Sequence, residues 1–385
     1  MTVAIAGAGL AGLCLAQRLV RAGIDVQVYE ADPGPFVRRQ GYRITVDADG
    51  LAALRDSLPT ELYELAVATG GEPGGFFRFT NSRLRDAVKL TFPADPDGGR
   101  QMDRQVLRSI LLEGLDERVH YGRTAVAVEH DSLRFADGTS VRAEVVVAAD
   151  GIGSTLRPSI APGAEPVDSG VSGIYGRTSL VPGLIPDALR KSGVLAIGDE
   201  PGRAFFFTAM RFGQAPRTVP ADDYVMWGLV LPRDEIPAGQ SLKETAARLA
   251  AGFHPLVGRL IDDADDEATI VSDFAIGRRP TRWPLARATL LGDAVHAMPP
   301  FGAHGGNTAL RDAALLGGKL AAGGSVAAAI TEYQDEMTAY AFQAVDNSAR
   351  MMRRLTATSG FQKWVMTRVL PRFRPVTVPE YERHQ

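Results

Sequence analysis

The chain has 385 residues, of which 45% are hydrophobic and 23% are charged, and its formal net charge is −3. This ordinary globular composition predicts two or three domains with ample core, and the near-neutral charge argues against a nucleic-acid partner. The single cysteine, Cys14, cannot form an internal disulfide. That is typical of a reducing compartment, and no apolar run is long enough to cross a bilayer, so we expect a cytoplasmic protein without a membrane span.

The N-terminal segment has the pattern strand, glycine turn, helix, strand. An apolar run at 3–6 ends in glycine, helical spacing follows from Leu10 to Ala22, and a second apolar run ends at Glu30. This order predicts the first βαβ unit of a Rossmann-type fold. Helical spacing recurs at 48–69 and from about 104 to 115, and strand-like alternation runs from 119 to 148.

The pattern changes between about 166 and 280. The β-rich stretches there are 171–180, 193–198, 203–211 and 224–231. Proline-rich loops separate them, and one helical segment follows at 242–253. We interpret this region as a mainly antiparallel sheet inserted into the first domain.

The first domain resumes after the insert. ATLLGD has the pattern of its last buried strand, and the chain after about 306 is helical with a break near AAGGS. The sequence therefore predicts an α/β fold with an inserted antiparallel sheet and a C-terminal helical segment. The expected boundaries are 1–70, 96–165 and 281–322 for the Rossmann-type domain, 71–95 and 166–280 for the substrate domain, and 323–385 for the C-terminal helices.

The first motif with chemical content is GAGLAG, residues 7–12, followed eighteen residues later by Glu30. In a dinucleotide site Gly7 makes the tight turn, Gly9 lets a pyrophosphate approach the backbone, and Gly12 allows the helix to pack closely on the strand. The helix N-terminus then faces the phosphates and the acid accepts from a ribose hydroxyl. We therefore predict a dinucleotide site here rather than a merely structural turn.

Two later strands also end in Asp and Gly. VVVAAD delivers Asp150 to the carboxyl end of one strand, and ATLLGD delivers Asp293 to the end of another. Ligands of open α/β sheets bind at that edge, although a strand ending in an ordinary turn would explain Asp150 on its own. After Asp293, Pro299 and Pro300 stiffen a loop whose glycines let backbone approach a ligand, and Asn307 is a candidate cap for the next helix.

Other kinds of site are poorly supported by the same stretch. His296 and His304 lie eight residues apart without an HExxH or cysteine cluster, so a zinc site is not expected. A Ser-His-Asp hydrolase would need a GxSxG turn, which the sequence lacks. For His304, a hydrogen bond within its own loop is favoured over a role in charge or proton control.

Taken together and in this order, the three motifs resemble the FAD-dependent aromatic hydroxylases, the class A flavoprotein monooxygenases whose prototype is p-hydroxybenzoate hydroxylase. In length and spacing the layout is most similar to the tetracycline-inactivating monooxygenases. The resemblance covers essentially the whole chain. It implies FAD as cofactor, NADPH or NADH as a transient co-substrate, O2 and a small-molecule substrate, in a monomer or a homodimer.

The resemblance also implies roles for individual residues. The glycine turn and Glu30 would hold the ADP part of FAD, Arg104 at a helix start would face the flavin, and Asp293 would bind the ribityl or pyrophosphate region. Pro300 and the backbone that follows would lie beside the isoalloxazine ring, and GYRIT (41–45) would run along it. The expected cofactor contacts are Gly7, Gly9, Leu10, Ala11, Gly12, Glu30, Arg38, Arg104, Asp150, Asp293, Pro300, Gly302, Gly305, Gly306 and Asn307.

The implied reaction is hydroxylation of an aromatic or polyketide-like compound with O2 and NAD(P)H through a flavin C4a-hydroperoxide. Epoxidation, Baeyer–Villiger insertion and oxidative decarboxylation are alternatives that product analysis with labelled O2 would separate. An O2-independent FAD-linked reductase and a catalytically silent flavin protein are alternatives from other classes. Substrate-dependent O2 uptake excludes the reductase, and NAD(P)H oxidation with any ligand excludes the silent protein.

The inserted sheet is the expected substrate wall. Arg211 is a candidate anchor, and Tyr224 and Phe207 are candidate contacts. An aromatic-rich stretch is more often sheet core than substrate wall, because alternate strand residues must face inward. No catalytic base is assigned from the sequence.

Overall fold

The computed structural model describes residues 1–37, 42–92, 94–95, 98–129, 131–217, 219 and 221–356. Arg38, an expected flavin contact, and residues 357–385 of the predicted C-terminal segment lie outside these residues. Within them, no helix is both long enough and apolar enough to cross a bilayer.

Strands and helices are numbered here in chain order. The strands are β1 (Thr2–Ala6), β2 (Asp25–Tyr29), β3 (Arg43–Val46), β4 (Gly75–Asn81), β5 (Asp86–Phe92), β6 (Arg100–Asp103), β7 (Val119–His120), β8 (Ala125–Glu129), β9 (Ser132–Phe135), β10 (Ser140–Arg142), β11 (Val145–Ala148), β12 (Val167–Ser179), β13 (Ser192–Ile197), β14 (Ala204–Met210), β15 (Tyr224–Pro232), β16 (Ile270–Ile276) and β17 (Ala288–Leu290). The α-helices are α1 (Leu10–Arg21), α2 (Ala48–Ser57), α3 (Thr60–Thr69), α4 (Arg104–Leu112), α5 (Arg157–Ile160), α6 (Leu242–Leu249), α7 (Pro255–Asp262), α8 (Asp293–His296), α9 (His304–Ala321) and α10 (Val326–Leu355).

A five-stranded parallel sheet forms the centre of the first domain, in the order β17-β11-β1-β2-β7. Its strands are short apolar runs buried on both faces, as parallel strands covered by helices must be. Helix α1 makes the crossover from β1 to β2, which confirms the predicted Rossmann-type unit. The carboxyl ends of β1, β11 and β17 meet at one edge.

The inserted region is a seven-stranded sheet in the order β16-β12-β15-β14-β13-β4-β5. It is antiparallel apart from the β13–β4 pair. The predicted β-rich stretches correspond to β12–β15, and β4 and β5 join them from earlier in the chain. This confirms the fold class, while the domain boundaries remain a prediction.

Two helical predictions need correction. The stretch 48–69 is two helices, because α2 ends at Ser57 and Pro59 precedes α3. The segment 242–253 contains only α6 and is followed by α7, where Pro255 occupies the first turn and the His254 side chain accepts a hydrogen bond from the Leu256 amide. Proline is tolerated there because the first-turn amides have no helical partner, so it starts this helix rather than ending one.

Helices α9 and α10 confirm the predicted helical tail within the described residues. The break between them contains Gly323 and Gly324, both with positive φ. Helix α10 contacts β17, the edge strand of the central sheet, and α9 packs against α1, α2, α10 and β3. This places the glycine-rich loop before α9 at the same edge as the ends of β1 and β11.

Candidate functional site

The glycine turn after β1 leaves open space at the start of α1. Gly7 has φ +107°, and a Cβ there would lie 2.3 Å from the Ala149 carbonyl oxygen. A Cβ on Gly12 would lie 2.1 Å from the Gly7 oxygen, whereas a Cβ on Gly9 would meet no protein atom within 4 Å. Gly9 is the N-cap of α1 and no side chain caps it. The turn is therefore closed on the protein side and open on the side where a phosphate would lie.

Glu30 follows β2 and is tied to the turn. Its Oε2 accepts a hydrogen bond from the Ala8 amide at 2.8 Å, and its Oε1 accepts one from the Asp32 amide at 2.9 Å. Carboxylate oxygens have lone pairs left for a further donor. Glu30 therefore stiffens the turn and lies where a ribose would be bound, a role that remains a prediction.

A shallow, solvent-open cleft lies beside the turn. Its lining residues are Gly9, Leu10, Asp32, Pro35, Phe36, Arg104, Gln105 and Arg108. Burial lowers the pKa of the Arg104 guanidinium, and the Asp293 carboxylate opposes that shift. The two cations and the open amides give this cleft donors suited to an anion, beside the carboxylate of Asp32. The prediction that Arg104 faces the flavin stays a prediction.

Arg108 was missed from the sequence. Its Nε donates to the Ala8 carbonyl at 2.8 Å and its Nη1 donates to the Pro35 carbonyl. Residues four apart share one helix face, so its position after Arg104 was the available signal.

The Asp150-Gly151 and Gly292-Asp293 steps come together because β11 and β17 are adjacent parallel strands. Asp150 Oδ2 accepts from the Thr155 amide at 3.1 Å, and burial raises the pKa of this carboxyl. The neighbouring Ser154 hydroxyl lowers that pKa in part, while Oδ1 is buried and meets no donor at hydrogen-bond geometry among the described residues. Asp293 is exposed at the start of α8. A buried acceptor without a donor is costly, which points to a donor supplied by a ligand at this edge.

Arg157 joins the two steps and was not among the predicted site residues. Its Nε donates to the Ala294 carbonyl at 2.6 Å, and its Nη2 donates to the Ile152 carbonyl at 2.6 Å. It is buried, and carbonyl oxygens on both loops satisfy its donors. The arginine that follows the Asp-Gly step in DGIGSTLR was the available signal.

The loop before α9 and the first turn of that helix contain the remaining predicted cofactor contacts. Pro300 is exposed, Gly302 has φ +86°, and the His304 ring lies against Gly302 in the same loop. Gly305 and Gly306 are in the first turn of α9, where a Cβ would approach no protein atom closer than 3.6 Å. Protein packing does not require glycine there, which fits a requirement for space beside a ligand.

The prediction that Asn307 caps this helix was wrong. The helix begins at His304, and its N-cap is Ala303 in the left-handed conformation. The Asn307 side chain instead donates to the Thr45 carbonyl at 2.9 Å and accepts from the Asp47 amide at 3.0 Å. It ties α9 to β3, the strand expected along the flavin, so its side chain holds the frame of the site.

A buried network below this loop was also missed. Asp312 Oδ2 lies 2.6 Å from His296 Nε2 and accepts from the Gly292 amide at 3.0 Å, while Oδ1 accepts from the Tyr340 hydroxyl at 2.6 Å. Burial disfavours a charged His296, but attraction to Asp312 outweighs burial and raises the pKa of His296 above 6.5. The hydrogen bond from the Gly292 amide to Asp312 holds the Gly292-Asp293 turn against this buried network.

The predicted substrate contacts do not share one location. Phe207 is 0% exposed and packs in the core between the sheet and α6–α7. This argues against a substrate role, and its neighbour Phe206 lies on the opposite face. Tyr224 is on that opposite face and donates to Asp103 Oδ2 at 2.8 Å. Arg211 is half exposed just beyond the end of β14, with Asp223 at 3.8 Å.

These features fit FAD. The open turn at α1, the two arginines of the cleft and the unpartnered Asp150 oxygen lie along the sheet edge that the resemblance assigns to this cofactor. The glycine-rich start of α9 leaves space for a flat ring.

Comparisons with known proteins agree with this fit. Residues 118–348, more than half of the chain, match a family model described as FAD binding domain. Residues 5–57 match one described as NAD(P)-binding Rossmann-like domain, which is the segment that contains GAGLAG.

Individual relatives are similar over most of the chain. The dual O-methyltransferase/FAD-dependent monooxygenase CTB3 of Cercospora beticola is 32% identical over 82% of this chain but only 41% of its own length. This chain thus spans about two fifths of the first relatives it matches. The 2-heptyl-3-hydroxy-4(1H)-quinolone synthase of Pseudomonas aeruginosa is 32% identical over 82% of this chain and 80% of that protein. Klebsiella pneumoniae HpxO, solved with FAD and uric acid, has the same fold, with a TM-score of 0.79 at 22% identity over 97% of this chain and 93% of that one.

Proposed function

The chain belongs to the FAD-binding domain family, with FAD as its cofactor, and from that premise we propose that it is a monooxygenase that hydroxylates an aromatic or polyketide-like small molecule. O2 and NAD(P)H are its proposed co-substrates. The observation that carries the proposal is the convergence of the glycine turn, Asp150 and Asp293 at one sheet edge, with the aromatic face of the inserted sheet opposite the β3–β6 pair at the site.

The protein's part in this reaction is binding and positioning. The open amides of α1, Arg104 and Arg108 hold the phosphates, and Glu30 receives the ribose. Asp150 and Asp293 bind the polar chain of FAD that lies between its phosphates and its isoalloxazine ring. These residues would hold FAD, which when bound would supply the redox chemistry for activating O2.

The loop before α9 and the strand β3 fix where the ring lies. The α9 N-terminus favours negative charge beside it, and Asn307 holds β3 to that helix turn. On the other side, the aromatic face of the inserted sheet excludes water from the reaction space. The sequence contains no second GxGxxG segment for NAD(P)H. We therefore propose that NAD(P)H binds transiently, without a Rossmann domain of its own.

The test is a visible spectrum of the purified protein followed by oxygen uptake. We expect a flavin band, and NADPH or NADH oxidation that phenolic or polyketide-like compounds stimulate together with O2 consumption. NAD(P)H oxidation by a substrate without O2 uptake would replace the proposal with the FAD-linked reductase. Absence of both activities across the compounds would replace it with a flavin-binding protein.

A further inference from the structure

The loop between α8 and α9 (residues 297–303) packs against the inserted sheet through one large side chain. Phe301 is only 8% exposed, whereas Pro300, Gly302 and Ala303 beside it are exposed. Its side chain belongs to a buried apolar cluster that consists mainly of inserted-sheet residues, together with the end of α10. Phe301 therefore anchors the loop outside the main core of the Rossmann-type domain.

The aromatic partner of Phe301 is Phe274 on β16, an edge strand of the inserted sheet. The two ring centres are 6.1 Å apart and the ring planes meet at 86°, the edge-to-face arrangement that aromatic pairs prefer. Phe274 is 4% exposed, and its ring centre lies 6.5 Å from that of Tyr175 on β12. A row of aromatic rings thus runs from the loop into the sheet.

A backbone hydrogen bond joins the same loop to the same strand. The Gly277 amide, directly after β16, donates to the Ala297 carbonyl at 2.7 Å. The approach is close, since a Cβ on Gly277 would lie 3.1 Å from the His296 Cα. The loop is therefore attached to β16 at its start by Ala297 and near its end by Phe301. A loop attached at two points to one strand cannot shift without breaking a contact or moving that strand.

The loop leads directly into the glycine-rich start of α9. Only Gly302 and Ala303 separate Phe301 from the first residue of that helix. The open space beside Gly305 and Gly306 is where the proposed function places the flavin ring, and the helix N-terminus favours negative charge there. The position of Phe301 is thus passed through two residues to the backbone beside that space.

We infer that Phe301 is a positioning residue for the flavin ring, because its contact with Phe274 fixes the loop beside that ring to the inserted sheet. This rests on the proposed function and adds two residues to the same site. Phe301 acts through the loop backbone and does not have to touch the cofactor. It follows that a change at Phe274, on a strand of the inserted sheet, alters the environment of the flavin.

The test is spectroscopy and redox titration of the FAD-loaded protein, without substrate. Phe301→Leu and Phe274→Leu each keep an apolar side chain and remove the edge-to-face contact. We expect FAD to stay bound, because the glycine turn and the cleft at α1 are unchanged, while the visible circular dichroism of the flavin changes. The ratio of reduced to oxidised flavin at a fixed potential should fall by about twofold to fivefold, the range for a weakened interaction between a negative charge and a helix N-terminus.

The double variant tests whether the two side chains act as one contact. Effects of independent residues on a free energy add, whereas effects of residues in contact do not. The shift in the reduction equilibrium of the double variant should therefore be no larger than that of the stronger single variant.

Phe253 provides the matched control. It is 6% exposed and its ring centre lies 6.1 Å from that of Phe205, but it packs in the core on the other side of the inserted sheet. Phe253→Leu should destabilise the protein to a similar extent in urea unfolding. It should leave the flavin dichroism and the reduction equilibrium at their wild-type values.

Several results would overturn the inference. One is wild-type dichroism and reduction equilibrium in Phe301→Leu. Others are additive shifts in the double variant, or the same shift in Phe253→Leu, which would indicate a general loosening of the sheet. Loss of FAD from Phe301→Leu would make the contact a requirement for binding instead of ring position. Coupled shifts in a protein that consumes no O2 would instead refute the proposed function and leave the positioning role in place.

Discussion

The proposed cofactor edge and the proposed substrate wall are built from different parts of the chain. At the cofactor edge the backbone sets the geometry: Gly7 and Gly12 fit because they lack a Cβ, and Arg157 binds carbonyl oxygens. On the inserted sheet, side-chain alternation sets the geometry, so Phe206 and Phe207 point to opposite faces. We therefore expect changes at the edge to affect FAD retention and changes at the wall to affect ligand selection or sheet stability.

The largest expected effect is at the glycine turn. In Gly12→Ala the new methyl would lie 2.1 Å from the Gly7 oxygen. The turn must open, so we expect a less stable protein and FAD affinity lowered by more than about 100-fold. Flavin content after dialysis and thermal unfolding measure the two effects.

Gly9→Ala is the matched control for that turn. Its methyl meets no protein atom within 4 Å, so apoprotein stability should not change. It occupies space intended for the pyrophosphate, and FAD affinity should fall by about 10-fold or more. Wild-type FAD affinity in Gly9→Ala would contradict the placement of the phosphates.

The next effect tests the two faces of the inserted sheet. Phe207→Ala should lower the free energy of unfolding by about 4 kcal/mol, because it leaves a cavity in a closed core. Phe206→Ala should cost about half as much and should change the binding of planar ligands while FAD is retained. Urea unfolding and the binding of planar ligands compare the two variants, and an equal stability loss would break the assignment of faces.

The cofactor edge could largely be predicted from the sequence, because its signals are local. GAGLAG, Asp150 and Asp293 each follow an apolar run, and parallel strands bring their carboxyl ends together. The wall could not be predicted in this way. Partner strands decide which residues of a strand point to which face, and a shift of one residue in the pairing exchanges the two faces. The sequence therefore indicates Phe207 as a contact, whereas the structure places Phe207 in the closed core and Phe206 on the opposite face.

Long-range polar contacts were equally invisible in the sequence. Asn307 resembles a helix cap locally, but its partners Thr45 and Asp47 lie some 260 residues earlier. Asp312 lies within a helical pattern, and nothing nearby indicates His296 or Tyr340 as its partners. Local preference predicted the type of these elements, and tertiary contacts decided what their side chains do.

The network below the cofactor edge gives a third prediction. Asp312→Asn removes the charged acceptor shared by the Gly292 amide, His296 and the Tyr340 hydroxyl. We expect the free energy of unfolding to fall by about 3 kcal/mol, since a buried charged partner is lost. Asp335→Asn, on an exposed position of α10, should change it by less than about 0.5 kcal/mol. Equal effects in urea unfolding would contradict the network.

The same network predicts a pH dependence of stability. The folded pKa of His296 is raised above its ordinary value of 6.5, so its charged form stabilises the fold fully below that pH. The contribution is lost as pH rises through the raised pKa. The difference in unfolding free energy between wild type and His296→Gln should therefore shrink on going from acid to alkaline pH. A difference that grows with pH would show that His296 is neutral in the folded protein.

The smallest effect is at the N-cap of α9. Ala303 has φ 57°, a conformation that glycine adopts without strain. Ala303→Gly should raise the free energy of unfolding by up to about 1 kcal/mol and leave FAD affinity within about twofold. A loss of stability beyond that range would mean that the left-handed loop conformation is wrong.

The most direct test of the central claim is product analysis under labelled O2. With a compound that stimulates NAD(P)H oxidation, the account predicts one oxygen atom from O2 in the product for each NAD(P)H consumed. A product without labelled oxygen, formed while NAD(P)H is oxidised, would contradict a monooxygenase and leave only the FAD-binding fold.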